Sequence, residues 1–339
     1  MSDVVVRTTD YHTAGEPFRI VADPPVDLAG DSVADRRARA IASQDANELR
    51  RLLCHEPRGH ADMYGAFIVP PDDQGAHLGA LFWHKDGFSA ACGHGTIALG
   101  VWAVQSGRVT RGDAGVTDVV IDVPSGRVVA RVRSDPERIA AVDFVNVESY
   151  VIADAVSVTT SRGTVTAGVS FGGAIYASVE ARGAGLCVTA ENLTDLISFG
   201  REVKHALAGS PYAEHRADPR LSGIYGTIIF DDLGSDDAGN VYQRNVTVFA
   251  DGEVDRSPCG SGTCARLAAL DASGRLDAGQ AFTHESIVGS RFLARVLDRR
   301  VSGGRSAVIP QVTGMAYRTG EHVFCADPDD PLTPGFVLR

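Results

Sequence analysis

The pentapeptide CGHGT at 92–96 returns as CGSGT at 259–263. Each copy is followed by a run of mostly small and apolar residues that ends at a glycine, Gly107 in the first case and Gly274 in the second. Such a run predicts a buried helix that starts near the second glycine of the motif and stops at the final one. One motif and one helix in each half of the chain favour an internal duplication of an α+β unit.

The rest of the chain reads as strands with a few helices. A length of 339 residues suggests two domains. Helices are predicted over 35–53 and 186–204. The segment SDPER at 134–138 interrupts two strand-rich regions and predicts a boundary after residue 133. Strands are predicted where β-branched residues cluster between turn residues, namely in VVVR from Val4 and in 65–70, 119–132, 164–173, 225–230 and 245–254.

Composition excludes several classes of partner. The net charge of −11, without a basic stripe, argues against nucleic acid. No apolar run approaches the ~20 residues that span a bilayer, and the first residues lack the pattern of a signal peptide. We therefore expect a cytoplasmic protein without a membrane partner. Six scattered cysteines in a chain of this size indicate thiols in a reducing compartment, and no disulfide framework.

The motif itself suggests a chemistry. Glycines ahead of a helix expose backbone N–H groups in the first turn, and these donors attract an anion such as a carboxylate. A cysteine at the same place has its pKa lowered by the helix. Two such motifs allow two thiols to face each other across one ligand, one as base and one as acid. Inversion of a carbon acid requires this pair, with N–H donors stabilising the charge that moves onto the carboxylate.

Other interpretations of the motif are weaker. GHGTIA and GSGTCA satisfy a dinucleotide-binding pattern, but neither is followed by the acidic residue about 20 positions on. Each cysteine alone also fits a buried structural residue. A pyridoxal phosphate enzyme needs a lysine, and neither Lys85 nor Lys204 lies in a phosphate-binding context. Metal-ligand spacings are missing from the sequence. We expect no cofactor and no metal.

Four separated motifs resemble the proline racemase family: HTAGEPFR at 12–19, EPRGHADMYGAF at 56–67, ACGHGT at 91–96 and DRSPCGSGT at 255–263. The resemblance covers most of the chain. It implies a fold similar to diaminopimelate epimerase, with two pseudo-symmetric domains, each a curved sheet around a central helix, and an active site between them. It also implies a last strand that returns to the first domain, so that the domains are 1–133 with 325–339, and 134–324. A homodimer is the expected assembly.

Roles follow from the resemblance residue by residue. Cys92 and Cys259 become the catalytic acid–base pair. The substrate carboxylate would be bound by backbone N–H groups of Gly93, His94, Gly260 and Ser261. The side chains of His94 and Asp255 would hold the ring nitrogen of the substrate, although an aspartate at 255 also suits a turn cap.

Aromatic and accessory residues complete the predicted site. Tyr64 and Phe249 would enclose the substrate ring, although each alone is typical of an ordinary core. Cys264, in the first turn after Cys259, is interpreted as a bystander thiol, and the remaining cysteines, Cys54, Cys187 and Cys325, as core. A mainly structural role is predicted for the signature residues His12, Glu16, Arg19, Arg58 and His60.

Both cysteines are present, whereas family members that dehydrate trans-3-hydroxyproline usually replace one of them. The resemblance therefore implies a racemase or epimerase that inverts Cα of proline or 4-hydroxyproline, a small cyclic imino acid. The alternative is a trans-3-hydroxy-L-proline dehydratase that uses the same pocket, because GFS at 87–89 resembles that branch. A non-enzymatic binding protein would need the carboxylate cradle but not two thiols.

Overall fold

The computed structural model describes residues 5–338 and divides into two compact units. Unit 1 contains the described residues up to Val142 together with those from Met315 onward, and unit 2 is Asp143–Gly314. The boundaries predicted from sequence, after residues 133 and 324, fall inside strands Gly126–Ser134 and Ala316–Cys325. Both strands belong whole to unit 1.

Unit 1 is a sheet with three helices. Its strands, in chain order, are β1 Val5–Thr13, β2 Glu16–Val21, β3 Tyr64–Val69, β4 Leu78–His84, β5 Gly87–Phe88, β6 Val116–Val123, β7 Gly126–Ser134 and, from the end of the chain, β18 Ala316–Cys325. They pair in the order β18-β1-β2-β3-β4-β6-β7, with β5 added to β4. The β2–β3 and β4–β6 pairs are parallel and the others antiparallel.

The helix predicted over 35–53 is two helices, α1 Val33–Ala42 and α2 Gln44–Cys54. Ser43 separates them, because its backbone is extended and its hydroxyl accepts a hydrogen bond from the N–H of Ala46. A serine in this role caps the second helix and ends the first. Both helices pack against β4.

The first motif starts α3, Gly93–Gln105, which packs against β1, β2, β6, β7 and β18. Its residues are buried continuously from Gly93 to Ala103, as expected for a helix that is apolar on all sides. The helix begins at the first glycine of the motif, two residues before the predicted start. Gly107, with a φ of 73°, follows its C-terminus as predicted.

Unit 2 contains a closed ring of eight strands. After β8 Ile139–Val145, in which the two units divide, its strands are β9 Ser149–Thr160, β10 Gly163–Phe171, β11 Ile175–Glu180, β12 Ile224–Ser235, β13 Val241–Phe249, β14 Glu253–Asp255, β15 Phe282–Ser286, β16 Arg291–Ser302 and β17 Arg305–Gly314. The ring runs β9-β10-β11-β12-β13-β15-β16-β17 and closes by pairing β17 with β9. Its β11–β12 and β13–β15 pairs are parallel.

The second motif starts α5, Gly260–Ala272, which packs against β9, β10, β11, β16 and β17. The helix predicted over 186–204 is α4 Leu193–Leu207. It begins later because short 3-10 turns at Ala181–Ala184 and Ala190–Asn192 precede it, with Gly185 left-handed between them. Two further 3-10 turns are Pro211–Ala213 and Pro219–Leu221.

Some sequence-based expectations are corrected. The returning strand predicted within 325–339 is β18 instead, because the proline- and aspartate-rich segment after Cys325 forms turns, and Arg339 lies outside the described residues. Val4, in the predicted first strand, also lies outside them. Cys187 and Cys325 are exposed, since they occupy a loop and a strand end, whereas Cys54 is buried as predicted. Over residues 5–338, no helix is long and apolar enough to cross a membrane.

Candidate active site

Cys92 caps the N-terminus of α3. Its backbone is extended, with a φ of −154°, and its Sγ accepts a hydrogen bond from the N–H of Gly95 at 3.2 Å. Its carbonyl accepts hydrogen bonds from the backbone N–H and the hydroxyl of Thr96, at 3.0 and 2.8 Å. The thiol therefore lies over the first helical turn, where Gly93 and His94 occupy positions whose N–H groups have no intrahelical acceptor.

Gly95 leaves the space that the Cys92 thiol occupies. A Cβ at this position would lie 2.3 Å from Cε2 of Phe18 and 2.8 Å from Sγ of Cys92. Both distances are far below van der Waals contact. The second glycine of the motif is thus required by close approach, since any side chain would displace either the aromatic ring or the thiol.

His94 has a buried ring beside Cys92. Its Nδ1 and Nε2 lie 3.5 and 3.6 Å from Sγ of Cys92. The ring packs edge-to-face against Tyr64, with centroids 5.0 Å apart, and against Phe18, at 5.6 Å. Burial lowers the pKa of His94 to about 3, so the imidazole is neutral at physiological pH. The hydroxyl of Tyr64 forms a hydrogen bond with that of Ser89.

Cys259 precedes α5 in a different backbone conformation. Its φ is +63°, which is uncommon for a residue with a side chain and costs about 1–3 kcal/mol. Its N–H donates to Oγ of Ser257 at 3.1 Å. The carbonyl of Pro258 accepts hydrogen bonds from Nδ2 of Asn245 at 3.1 Å and from the hydroxyl of Thr263 at 3.2 Å. These contacts hold the turn that places Cys259 in front of the helix.

Gly262 repeats the clearance seen at Gly95. A Cβ here would lie 2.9 Å from Sγ of Cys259 and 3.2 Å from Cδ1 of Ile228. The Cys259 thiol is therefore folded back over its own helix, as the Cys92 thiol is over α3. In both motifs the second glycine makes room for sulfur.

Asp255 is buried next to the second motif. One of its oxygens, Oδ1, accepts hydrogen bonds from the backbone N–H of Ser257 at 2.8 Å and from its hydroxyl at 2.7 Å. Burial raises the pKa of Asp255, and its hydrogen bonds to Ser257 only partly oppose this. Burial, and then the nearby negative charge of Asp255, raise the pKa of Cys259 well above its ordinary value. The lowered cysteine pKa predicted for this position is therefore wrong for Cys259, because burial and the charge of Asp255 outweigh the effect of the helix start. The Cys259 thiol is accordingly protonated at neutral pH.

Tyr176 connects the second motif to a group of aromatic rings. Its hydroxyl lies 2.7 Å from Oγ of Ser261 and 3.8 Å from Sγ of Cys259. Tyr225 packs edge-to-face against Tyr176 and stacks on Phe249, each with centroids 5.7 Å apart. Phe249 is thus one ring removed from the residues that touch the thiol.

The predicted site residues form a cluster in each unit. In unit 1, His94 contacts both Cys92 and Tyr64, and Gly93 opens the helix. In unit 2, Cys259, Asp255, Gly260 and Ser261 surround one helix start, with Phe249 at the edge. Cys264 is fully buried, and burial raises its pKa to about 12, which fits a bystander thiol.

Several contacting residues were not predicted. Phe18 lies in a signature motif, but nothing in the sequence indicates that its ring meets Gly95. Ser257, two residues before Cys259, carries a local signal, because serine hydroxyls often bond to the backbone two residues on. Tyr176 is distant in sequence and carries no local signal.

Arg19 illustrates the structural signature residues. It forms a buried ion pair with Asp10 at 2.9 Å and donates to the carbonyls of Leu53 and Arg58. Its guanidinium lies 4.2 Å above the ring of Phe324. These contacts join β1, β2 and β18 to the end of α2 and to the segment that follows it.

Each cluster combines a buried thiol with N–H donors at a helix start. Such donors bind a carboxylate, and a thiol beside them exchanges protons with a carbon next to that carboxylate. The neutral ring of His94 and the carboxylate of Asp255 add hydrogen-bonding groups, and Asp255 also suits an ammonium.

Comparison with known proteins agrees with these motifs. A sequence model of the family described as proline racemase matches residues 8–337. A 3-hydroxyproline 2-epimerase from Burkholderia multivorans is 44% identical over 335 residues, which covers 98% of each chain. A trans-3-hydroxy-L-proline dehydratase from Burkholderia cenocepacia is 45% identical over 335 residues, with the same coverage.

Solved structures share the fold. A hydroxyproline epimerase from Agrobacterium vitis, with bound trans-4-hydroxy-L-proline, matches with a TM-score of 0.90 and 30% identity over 98% of this chain and 96% of that one. A predicted epimerase from Pseudomonas aeruginosa, 15% identical over 94% of this chain and 99% of its own, shares the fold alone, with a TM-score of 0.55. The predicted fold relationship to epimerases is confirmed, and pseudo-symmetry of the two units stays a prediction. The chain is an enzyme that belongs to the proline racemase family.

Proposed function

We propose that this enzyme inverts the Cα centre of a proline-type imino acid without a cofactor, with Cys92 and Cys259 as its acid–base pair. The observation that carries the proposal is the shared geometry of the two motifs. Each places a buried thiol over a helix start, in space that a glycine leaves free. An isomerase that works in both directions needs two such groups, one for each face of the substrate.

The proposed step transfers one proton off the substrate and one onto it. One sulfur, as a thiolate, takes the proton from Cα, and the electron pair left on carbon delocalises into the carboxylate. The other sulfur, as a thiol, gives its proton to the opposite face of the same carbon. The roles exchange when the other enantiomer is the substrate. Carboxylate binding is assigned to the N–H groups of Gly93, His94, Gly260 and Ser261.

The substrate's ring nitrogen is assigned to Asp255 and to the ring of His94. A secondary ammonium beside Asp255 would offset the buried negative charge and would lower the pKa of that carboxyl and of Cys259. Substrate binding would thereby favour formation of the thiolate. Tyr64 and Phe249 are proposed to enclose a compact ring, which limits the substrate to small cyclic imino acids.

Dehydration of trans-3-hydroxy-L-proline is the second candidate, and the name of the Burkholderia cenocepacia relative favours it. This reaction has the same first step, in which a thiolate removes the Cα proton. The hydroxyl at C3 then leaves as water after taking a proton from the opposite group, and the product is a cyclic enamine that becomes an imine. The segment GFS at 87–89, which resembles the dehydratase branch, includes Ser89, and the Ser89 hydroxyl forms a hydrogen bond with the Tyr64 hydroxyl.

Proton exchange distinguishes the candidates. The purified enzyme is incubated in D₂O with L-proline, trans-4-hydroxy-L-proline or trans-3-hydroxy-L-proline, and the products are followed by NMR and chiral chromatography. We expect deuterium at Cα together with inversion for at least one of these. Loss of water from the 3-hydroxy compound would assign the lyase instead. A Cys92→Ser/Cys259→Ser double variant is the control, and no exchange with any of the three would leave only a binding function.

A further inference from the structure

A cavity of about 540 Å³ lies in unit 2, beside the second half of α5. Its walls come from β9, β10, β11 and β12 and from the helix between Arg266 and Ala272. The residues assigned to substrate binding above are not among those that line it. Cys259 precedes the start of α5, whereas the cavity follows its later turns, so the two features use opposite ends of one helix.

Arg266 is the buried charge in this cavity, with only 8% of its surface exposed. Its Nε and Nη2 both donate to Oε1 of Gln243, at 3.3 and 3.0 Å, and its guanidinium lies 4.1 Å above the ring of Phe230. Across residues 5–338, no carboxylate forms an ion pair with Arg266, and its Nη1 has no hydrogen-bond partner. Its direct protein partners are therefore an amide and an aromatic face, and the carboxylates of Asp232 and Glu180 favour its charge only from a distance.

Such an arrangement leaves the buried cation only partly compensated, because Asp232 and Glu180 act on it from a distance and form no ion pair with it. A buried cation is normally paired with an anion, because removal from water is not repaid by neutral partners alone. Burial lowers the pKa of Arg266 to about 10, so the side chain still carries its charge at neutral pH. The guanidinium edge at Nη1 suits a carboxylate, which arginine binds with strong charge-assisted hydrogen bonds.

The other residues that line the cavity indicate which chemical groups the rest of the ligand carries. Val151, Phe230 and Leu270 supply apolar surface, and 540 Å³ is within the range of about 300–1,000 Å³ of small-molecule sites. A bare inorganic anion would leave most of this volume unfilled. Asp154 and Glu180 line the cavity where it is exposed, and their charge opposes entry of a multiply charged anion.

We propose that this cavity binds a small organic monocarboxylate, with its carboxylate on Arg266 and its apolar part against Phe230 and Leu270. The site is separate from the proposed active site and does not rest on the proposed function. Arg275, which also lines the cavity, is already paired with Asp232 at 2.6 Å and is not assigned to the ligand.

The test uses 3-phenylpropanoate as the probe, with binding measured by isothermal titration calorimetry. Two analogues change the head group. 3-Phenylpropanamide keeps the whole apolar part and is uncharged, and phenyl phosphate keeps the phenyl ring and carries a higher charge. We expect the probe to bind the wild-type enzyme, with affinities about tenfold or more weaker for both analogues.

Three variants locate the binding. Arg266→Met should weaken it at least about tenfold, and Ala269→Phe, which keeps the arginine but fills the cavity, should abolish it. Arg275→Met is the matched control and should bind like wild type, because that arginine is paired within the protein. If Arg266→Met fails to fold, the affinity of the Ala269→Phe variant for the probe still tests the proposal.

Three results would overturn the proposal. One is the absence of binding to the wild-type enzyme. Another is binding that Arg266→Met, once shown to be folded, leaves unchanged. The third is binding that Ala269→Phe leaves unchanged. Equal or tighter binding of phenyl phosphate would overturn the restriction to monocarboxylates. None of these results bears on Cα inversion, which is measured separately.

Discussion

Cys92 and Cys259 stand in front of similar helices, but their backbones and neighbours differ. Cys92 is extended and accepts a hydrogen bond from the N–H of Gly95, whereas Cys259 has a positive φ and a carboxylate beside it. The neutral ring of His94 lies near the first thiol. What the motifs share is therefore the clearance for sulfur, and what separates them is the electrostatics around each thiol.

Because of this difference, the two thiols do not ionise with equal ease. The negative charge of Asp255 opposes ionisation of Cys259, while Cys92 contacts an N–H donor and an uncharged ring. An enzyme that inverts a centre in both directions has to make the two sulfurs comparable once substrate is bound. If the proposed assignment of the substrate ammonium to Asp255 holds, we expect that ammonium to equalise them.

The largest effect is expected from replacing either thiol. Cys92→Ser and Cys259→Ser should each slow inversion by about 10²- to 10⁴-fold, because a hydroxyl is too weak an acid to replace a thiol. Each variant should still exchange the Cα proton of one enantiomer, and the enantiomer should differ between the two variants. Chiral chromatography and NMR in D₂O measure both properties.

Cys264→Ser is the matched control for these substitutions. It changes a buried thiol in the same helix, and inversion should persist. If Cys92→Ser and Cys259→Ser exchanged the same enantiomer, the assignment of the two sulfurs to opposite faces would be wrong.

An intermediate effect is expected at Asp255. Asp255→Asn should lower kcat/KM roughly 10- to 100-fold through loss of the pairing with the ammonium. The same change should raise Tm by about 2–4 °C at pH 8, because the raised pKa of Asp255 makes its ionised form costly in the folded state. This gain should shrink as pH falls towards 5, where the wild-type carboxyl takes up a proton.

Asp10→Asn is the control for burial of a carboxylate. Asp10 is also buried, but it is paired with Arg19 at 2.9 Å. Its replacement should lower Tm, because it leaves a buried guanidinium without its counter-charge. Calorimetry of both variants at pH 5 and pH 8 checks the contrast, and a lower Tm for Asp255→Asn at pH 8 would contradict it.

The smallest effect is expected from the titration of His94. Its lowered pKa contributes stability that is present above the ordinary histidine value near 6.5 and is lost as pH falls towards 3. The loss amounts to at most ~1.4 kcal/mol per pH unit. His94→Gln should therefore flatten the dependence of the unfolding free energy on pH between 6.5 and 5. His205→Gln, which changes an exposed histidine in α4, should retain the wild-type slope; denaturant titrations measure both.

Local signals predicted much of the fold. The helices after both motifs, and the strands around 65–70 and 164–173, follow from short apolar patterns between turn residues. The sequence pattern predicts the start of each motif helix two residues late, because the helix begins directly after the cysteine, which occupies the N-cap position. The same kind of pattern predicts one helix over 35–53, although Ser43 carries a capping signal in the sequence.

Local sequence patterns do not predict contacts between segments that are distant in the chain. Tyr176 reaches Cys259 only because β11 and α5 pack together in unit 2. Asn245, in β13, likewise donates a hydrogen bond to the carbonyl of Pro258, just before the positive φ of Cys259. The sequence motif identifies the two cysteines, whereas the strands around them determine the backbone conformation and the electrostatic environment of each thiol.

The closed ring of strands in unit 2 has a consequence for association. Every strand of the ring has a neighbour on each side, and β9 with β17 completes the circuit. An open sheet offers unpaired N–H and C=O groups on which another chain can add a strand, and a closed one does not. The closing pair joins only Ala307 and Val308 to Tyr150 and Ser149. Closure therefore reduces the backbone that is open to the edge-to-edge pairing that begins domain swapping and fibre growth, and it leaves only the stretches beyond this short pairing to take part.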